Sequence, residues 1–158
     1  MSKENKTNAE RILDRMKIAY TPITYECKEF IDGEHIADTL GQDPDKVFKT
    51  LVTVGKSGKN YVLVLPVNRE LDLKKCAAAA GEKSLEMVHV KDITALTGYV
   101  RGGCSPIGMK KLFPTFIHDS AETLEKIVVS GGRLGLQVEL SPSELLKVCN
   151  GKFADLCR

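Results

Sequence analysis

The sequence lacks the signals of a membrane or secreted protein. Its 158 residues contain no run of about 18 apolar residues, the length that a membrane-spanning helix needs. Residues 1–6 are polar and have no apolar core of the kind found in signal peptides. We therefore expect a cytoplasmic protein with no membrane partner.

Motifs for disulfides, zinc and nucleotides are missing too. The five cysteines are an odd number, no pair has the C-x-x-C spacing, and the three histidines stand far apart. We therefore predict reduced, mostly buried thiols, with no metal and no cofactor. Neither glycine-rich segment ends in Gly-Lys-Ser/Thr and a Rossmann fingerprint is absent, so phosphate-loop nucleotide binding is disfavoured.

Strong charge of either sign is also absent. The net charge is +2, and the lysine pairs at 74–75 and 110–111 are short. This balance permits contact with a nucleic acid without demanding it, and nothing in it predicts a DNA partner.

What the sequence does contain is a mixture of helix and strand patterns typical of one α/β domain over residues 1–158. Helices are predicted over 8–18, 35–40, 71–80, 92–96 and 142–150, with short helical segments starting at Asp43 and Met109. Strands are predicted over 23–27, 50–54, 61–65, 115–118, 126–129 and 134–140, and the second and third form a hairpin. The elements do not alternate strictly, which indicates a mixed or antiparallel sheet with peripheral helices.

The most informative stretch is Arg-Gly-Gly-Cys-Ser-Pro-Ile-Gly at 101–108. Taken alone it predicts a tight turn first, and second a site whose glycine N–H groups hold an anion or a carbonyl oxygen. Cys104 and Ser105 invite a nucleophile hypothesis. However, no histidine is near in sequence and the G-x-S-x-G elbow is absent, so a turn role is the simpler alternative.

Two further segments carry candidate residues. Lys49 lies where a predicted short helix gives way to a strand, with apolar neighbours that can hold its stem while the ammonium projects. An ordinary solvated lysine is the alternative reading. The glycine pair 131–132 follows Ser130 and predicts a turn.

Together, segments 47–51, 101–111 and 130–136 resemble, in order and spacing, the YbaK/EbsC family of aminoacyl-tRNA deacylases. The resemblance runs from Thr7 to the terminal helix, and the family is related to the editing domain of bacterial prolyl-tRNA synthetases. It implies an α/β YbaK/ProRS-editing-like fold built on a mixed, barrel-like β-sheet. It also implies hydrolysis of the ester in mischarged tRNA, with Cys-tRNA(Pro) as the expected substrate.

The resemblance implies catalytic roles for three residues. Lys49 would pair with a phosphate of the tRNA 3′ end and orient the terminal adenosine. Gly102 and Gly103 would bring backbone N–H groups to the ester carbonyl. The other expected substrate contacts are Tyr20, Phe30, Thr50, Ser130 and Gln137. Well-known members carry aspartate where this chain has Gln137, so a neutral amide replaces a carboxylate there.

No enzyme nucleophile is implied by the resemblance. The substrate's own cysteine thiol would attack its ester, and a held intramolecular thiol can reach an effective molarity of ~10⁵ M. Cys104 is then expected to be structural or pocket-lining. Prolyl-tRNA synthetase is the expected partner that presents the tRNA. The alternatives are a deacylase for Ala-tRNA(Pro) or another aminoacyl-tRNA, and a non-catalytic tRNA- or synthetase-binding module.

Overall fold

The computed structural model describes residues 5–158, so the first four residues of the polar N-terminal segment lie outside it. The described elements are α1 (Asn8–Arg15), β1 (Thr21–Thr24), α2 (Gly33–Thr39), β2 (Phe48–Gly55), β3 (Asn60–Pro66), α3 (Leu73–Ala80), β4 (Leu85–Met87), α4 (Ile93–Thr97), β5 (Thr115–His118), β6 (Ile127–Arg133), β7 (Leu136–Leu140), α5 (Pro142–Cys149) and β8 (Lys152–Ala154). Within this range, no helix has both the length and the apolar character needed to cross a membrane.

The helix ends follow signals that are readable in the sequence. Thr7 and Glu10 form a reciprocal capping box at the start of α1. Ser141 caps α5, where Pro142 occupies the first helical position. Gly81 ends α3 with a φ of 73°, a left-handed conformation in which glycine has no Cβ to clash.

The strands form two sheets. The first has the order β1-β7-β6 and is antiparallel, and the second has the order β4-β2-β3-β5-β8. The second sheet is mixed, because β5 pairs in parallel with both β3 and β8 while β2 is antiparallel to β3 and β4. The α/β class with a mixed sheet and peripheral helices is thus confirmed, although the sheets are not closed into a barrel.

The core lies on both faces of the central strand β3. Val62 and Val64 face the main cluster, which also includes residues of α1, α5, β6 and β7. Leu63 and Leu65 face a second cluster with Cys76 of α3. The strand predicted over 61–65 is therefore confirmed, and its apolar run is buried on both faces, as is typical of a central strand. The cysteines are free thiols, four buried and one, Cys27, half-buried.

Three local predictions were wrong. The segment after Asp43 makes only a turn over 44–46, because β2 begins at Phe48 and leaves no room for a helix. The stretch at 109–112 is not helical, and the Lys110 N–H donates to the carbonyl of Thr97 at 2.9 Å. The predicted turn at 130–133 is part of β6, which continues to residue 133 with an irregular register against β7.

Candidate functional site

A cavity of about 330 Å³ opens beside β2, near the point where β2 and β6 diverge. One isolated bridge, Val47 to Val128, joins the residue before β2 to β6. The cavity walls come from residues 47–52 in and just before β2, the segment 30–33 that leads into α2, the segment around 87–93, loop residues 101, 102 and 104, and residues 129, 130 and 137 of β6 and β7. Six of the eight predicted site residues line this cavity: Phe30, Lys49, Thr50, Gly102, Ser130 and Gln137.

Lys49 and Thr50 approach the cavity from opposite faces of β2. Lys49 is paired with Leu65 and Thr50 with Val64, and paired residues turn their side chains to the same face. The Lys49 side chain therefore shares the face of the Leu65 cluster, whereas Thr50 shares the face of the main core. Lys49 is half-buried and has no carboxylate partner among residues 5–158.

The hydroxyl of Thr50 is a buried polar group without a partner. Its Oγ1 is inaccessible to solvent and makes no hydrogen bond within the described part of the chain. Such a group costs about 1–3 kcal/mol when left unsatisfied, so it stands out at the wall of a cavity.

In the glycine loop at 101–104, Gly102 lines the cavity, whereas Gly103 packs against the backbone of Arg133. The Gly103 N–H donates to the carbonyl of Val100 at 3.0 Å, closing a turn in which Gly102 has a φ of 83°. A Cβ on Gly103 would lie 2.8 Å from the Cα of Arg133, so glycine there permits close backbone approach. Gly103 does not line the cavity, and its N–H is already used, contrary to the expectation that it reaches the ester.

An aromatic ring and a guanidinium are stacked at the cavity. The Arg101 guanidinium carbon lies 3.9 Å from the centroid of the Phe30 ring, a cation–π contact. Phe30 is 42% exposed, and a Cβ on Gly102 would lie only 2.9 Å from it, so the ring rests on that glycine. Arg101 begins the glycine-rich segment 101–108 but is not among the predicted site residues.

The predicted aromatic Tyr20 is not at the cavity. It packs against the main core, and its hydroxyl lies 3.5 Å from Oε2 of Glu10. Tyr25 lines the cavity instead, and burial raises the pKa of its phenol. The available signal was the strand predicted over 23–27, in which alternation puts Ile23, Tyr25 and Cys27 on one face.

Ser130 and Gln137 are neighbours across β6 and β7, as their register shows. Gln137 is 6% exposed, and its Oε1 accepts a hydrogen bond from Nε2 of Gln42 at 2.7 Å. Ser130 Oγ accepts from the N–H of Gly132 at 3.2 Å. Gln137 lies on the face of β7 opposite to Val138 and Leu140, which belong to the main core cluster. No pattern in the sequence indicated that Gln42 would contact Gln137.

Comparison with known proteins identifies the family. The model for the aminoacyl-tRNA editing domain matches residues 31–148. The chain belongs to the aminoacyl-tRNA editing domain family. This editing domain is 47% identical over 154 residues to a protein of Enterococcus faecalis, EbsC, named by inference as a Cys-tRNA(Pro)/Cys-tRNA(Cys) deacylase. The match covers 97% of this chain and 94% of EbsC.

Other relatives place the editing domain in a wider group. A proline–tRNA ligase of Thermosipho melanesiensis is 33% identical over 100 residues, which are 63% of this chain and 17% of the ligase. A crystal structure described, by inference, as a trans-editing enzyme for prolyl-tRNA synthetase matches with a TM-score of 0.79 and 21% identity, covering 98% of this chain and 99% of that one. The hypothetical protein APE2540 matches with a TM-score of 0.86 and 22% identity over 96% and 99% of the two chains. These two structures support the fold.

Cys104 and Ser105 of the editing domain lack the setting of a nucleophile. Burial raises the pKa of the Cys104 thiol to about 11, so the thiol is protonated near neutral pH. No histidine lines the cavity within the described chain. Ser105 is fully buried and its Oγ accepts the N–H of Ile107 at 3.2 Å, a turn role. The editing domain therefore offers no activated side-chain nucleophile at this cavity.

A group of metal-ligating residue types stands elsewhere, at His118, Asp119 and Asp155. The buried His118 accepts the N–H of Leu156 on Nδ1 at 3.1 Å, which occupies that lone pair. Asp155 is bound by the ammonium of Lys75 at 2.9 Å. Burial lowers the pKa of His118. Two of the three groups, Nδ1 of His118 and the carboxylate of Asp155, are therefore already hydrogen-bonded within the protein.

Proposed function

We propose that this protein is a trans-editing aminoacyl-tRNA deacylase that hydrolyses the ester of mischarged Cys-tRNA(Pro). The family match and the 47% identity to EbsC support this substrate class. Such an activity corrects an error that the amino-acid pocket of a synthetase cannot prevent by binding alone. A hydrophobic synthetase pocket rejects a near-isostere by only ~1–3 kcal/mol, and cysteine is close to proline in size, so a second site must clear the error.

The observation that carries the mechanism is that, among residues 5–158, no side chain that lines the cavity is free to act as a general base. Cys104 is protonated, and the one carboxylate among the described lining residues is that of Asp32. That carboxylate accepts the backbone N–H of His35 at 3.0 Å and contacts its ring at 2.6 Å, and these bonds hold the pKa of Asp32 below its usual range. The nucleophile is then the substrate thiol. Its sulfur bonds to the ester carbon, the bond to the ribose oxygen breaks, and the thiol proton ends on that oxygen, which frees the tRNA and leaves the cysteine as a cyclic thioester. Water then opens this thioester, giving the carboxylate and restoring the thiol, which completes the hydrolysis.

The residues at the cavity have complementary tasks toward the tRNA 3′ end. Single-stranded ends are recognised by stacking bases on aromatic rings and guanidinium planes, which the Phe30–Arg101 pair offers. The ammonium of Lys49 supplies charge for a phosphate. Gly102 lets the loop backbone approach the ester. Ser130 and Gln137 lie against the aminoacyl group.

We infer that a partner protein selects which tRNA reaches the cavity. The chain matches only 17% of the Thermosipho melanesiensis proline–tRNA ligase, within a much larger enzyme. We infer that prolyl-tRNA synthetase holds the mischarged tRNA while this protein receives its 3′ end. Adding the synthetase to the reaction tests this, because it should raise the deacylation rate for tRNA(Pro) over other tRNAs.

The function itself is tested by following ester loss from Cys-, Ala- and Pro-charged tRNA(Pro). We expect the Cys ester to disappear fastest, and Lys49→Ala to lower kcat/KM by about tenfold, the cost of one charged contact. Lys59→Ala is the matched control, since Lys59 is exposed in the β2–β3 connection. Faster loss of the Ala ester would favour the sibling deacylase. Binding without loss of any ester would favour a non-catalytic module and overturn the proposal.

A further inference from the structure

The hydrogen-bonding phase of the β2–β3 hairpin decides which backbone groups of β2 face the cavity. The N–H of Val67 donates to Val47 at 2.8 Å and the N–H of Gly55 donates to Lys59 at 2.8 Å. In an antiparallel ladder the residues alternate between pairs that exchange both bonds and pairs that exchange none. With this register, Lys49, Leu51 and Thr53 exchange bonds with β3. Phe48, Thr50 and Val52 direct their N–H and C=O groups outward.

The outward edge is occupied on both sides of Thr50. Toward the start of β2, the N–H of Val128 donates to the carbonyl of Lys46 at 2.9 Å. Toward its end, the N–H of Val88 donates to the carbonyl of Val52 at 3.1 Å. Thr50 lies between these bonds and belongs to neither outer ladder, because β4 pairs with β2 only from Thr53 to Gly55.

The cavity lies along this open stretch of strand edge. Every residue from Val47 to Val52 lines it, including residues on both faces of β2, as expected when a cavity follows the backbone. Thr50 also carries the buried, unpartnered Oγ1 described above. Backbone N–H and C=O groups demand partners, and an unpaired strand edge is a template for another extended segment.

We propose that the aminoacyl group of the substrate pairs with Thr50 as a one-residue strand. The ester carbonyl accepts the N–H of Thr50, and the α-ammonium donates to the carbonyl of Thr50. An antiparallel bonded pair has this arrangement, with both bonds made by one residue on each side. This inference rests on the proposed deacylase function and adds the group that binds the reacting carbonyl.

The pairing gives the Thr50 N–H the role expected of Gly103. The Gly103 N–H is committed to Val100, whereas the Thr50 N–H faces the cavity. A donor fixed against the ester oxygen polarises the carbonyl and stabilises the negative charge that develops there. Bonded neighbours also turn their side chains to one face, so the substrate side chain points with Thr50, away from Lys49. The substrate thiol then points to the cavity wall on the Thr50 side of β2. The ammonium of Lys49, on the other side, remains available to bind the tRNA.

Replacing one backbone N–H by an ester oxygen tests the pairing. The α-hydroxy analogue of threonine placed at position 50 removes the N–H and keeps the side chain. Removing one such donor typically costs about 100-fold, and we expect a loss of this order in kcat/KM for Cys-tRNA(Pro). The same analogue at position 53 is the matched control, because Thr53 is buried and bonds to Tyr61 of β3 away from the cavity. That control should unfold at a lower temperature and keep kcat/KM within about threefold.

The substrate side of the pairing has its own test. A tRNA charged with 3-mercaptopropionate keeps the thiol and the ester and lacks the α-ammonium. For each substrate, the acceleration is the enzymatic rate divided by the uncatalysed rate. We expect the acceleration for this substrate to be about tenfold smaller than for Cys-tRNA(Pro), because one charged hydrogen bond is lost. The position-50 backbone ester should still slow it, since the carbonyl contact remains.

When the wild type is active, two results would overturn the pairing: unchanged kcat/KM for the folded position-50 backbone ester, or equal acceleration of the two substrates. Either result leaves the proposed function intact as long as the wild type hydrolyses Cys-tRNA(Pro). If the wild type hydrolyses no ester, the proposed function fails. The pairing is then judged by the Kd of an amide-linked Cys-tRNA analogue, which the position-50 backbone ester should raise at least fivefold. An unchanged Kd would overturn it.

Discussion

Gln42 donates from its Nε2 to Oε1 of Gln137 at 2.7 Å, joining two glutamines that are 95 positions apart. Gln42 belongs to the segment between α2 and β2, and Gln137 belongs to β7, so the bond ties the segment that leads into β2 to the smaller sheet. The bond uses the oxygen of Gln137, which leaves its NH₂ group as the remaining donor at the cavity.

Gln42→Ala is expected to lower the free energy of unfolding by about 1–2 kcal/mol, because the buried oxygen of Gln137 loses its donor. Denaturant titration measures the change, and kcat/KM should fall as the orientation of Gln137 relaxes. Lys46→Ala, an exposed change in the same segment, should stay within about 0.5 kcal/mol of the wild type. Equal stabilities for the two variants would contradict the role assigned to the bond.

Thr50→Val and Thr53→Val should change stability in opposite directions. The first removes an unpartnered buried hydroxyl and should raise the free energy of unfolding by about 1 kcal/mol. The second removes the bond from Oγ1 of Thr53 to the Tyr61 carbonyl at 3.0 Å and should lower it by a similar amount, about 1 kcal/mol. Urea midpoints at one pH give both signs. A destabilised Thr50→Val would mean that the hydroxyl has a partner in solution.

Cys104→Ala should keep deacylation, with kcat/KM within about threefold of the wild type. The buried thiol is protonated near neutral pH because burial raises its pKa to about 11, so its removal takes away no reactive group. Steady-state rates on Cys-tRNA(Pro) check this after circular dichroism has shown that the variant is folded. A folded but inactive variant would return Cys104 to the reaction.

Stability should decline under alkaline conditions. Burial raises the pKa of Cys104 to about 11 and that of Cys149 to about 12, against an ordinary 9.0. A raised folded-state pKa adds stability below the unfolded pKa, and this contribution is lost as the pH rises through the folded value. The free energy of unfolding should therefore fall as the pH rises above about 9. Urea titrations from neutral pH to pH 11 test this, and Cys149→Ala should have a shallower decline. A flat profile would show that these thiols titrate alike in both states.

Local signals predicted much of the fold, because capping, glycine stops and alternation act over a few residues. The Thr7 capping box, the Gly81 stop and the two-sided burial of β3 are of this kind. Strands β4 and β8 were missed, because three residues give too short a pattern.

At the site, the features that could not be predicted from the sequence depend on long-range contacts or on the geometry of a single turn. The segments that carry Lys49, Gly102 and Ser130 come together as the resemblance implied. The contact between Gln42 and Gln137 depends on how the segment before β2 packs against β7, and the use of the Gly103 N–H depends on the geometry of one turn. Neither leaves a periodic trace in the sequence.

The strand order of the larger sheet has a consequence for the growing polypeptide. Strand β3 can pair with β2 as soon as the hairpin is made, but its other neighbour, β5, starts at Thr115 and the outer strand β8 at Lys152. Domains fold as units during synthesis, and here the unit lacks its last strand until β8 (Lys152–Ala154) has been synthesised. The nascent chain therefore has a long interval in which the apolar β2–β3 hairpin is exposed without β5 and β8. A chaperone would bind the largest apolar surface of the chain during this interval.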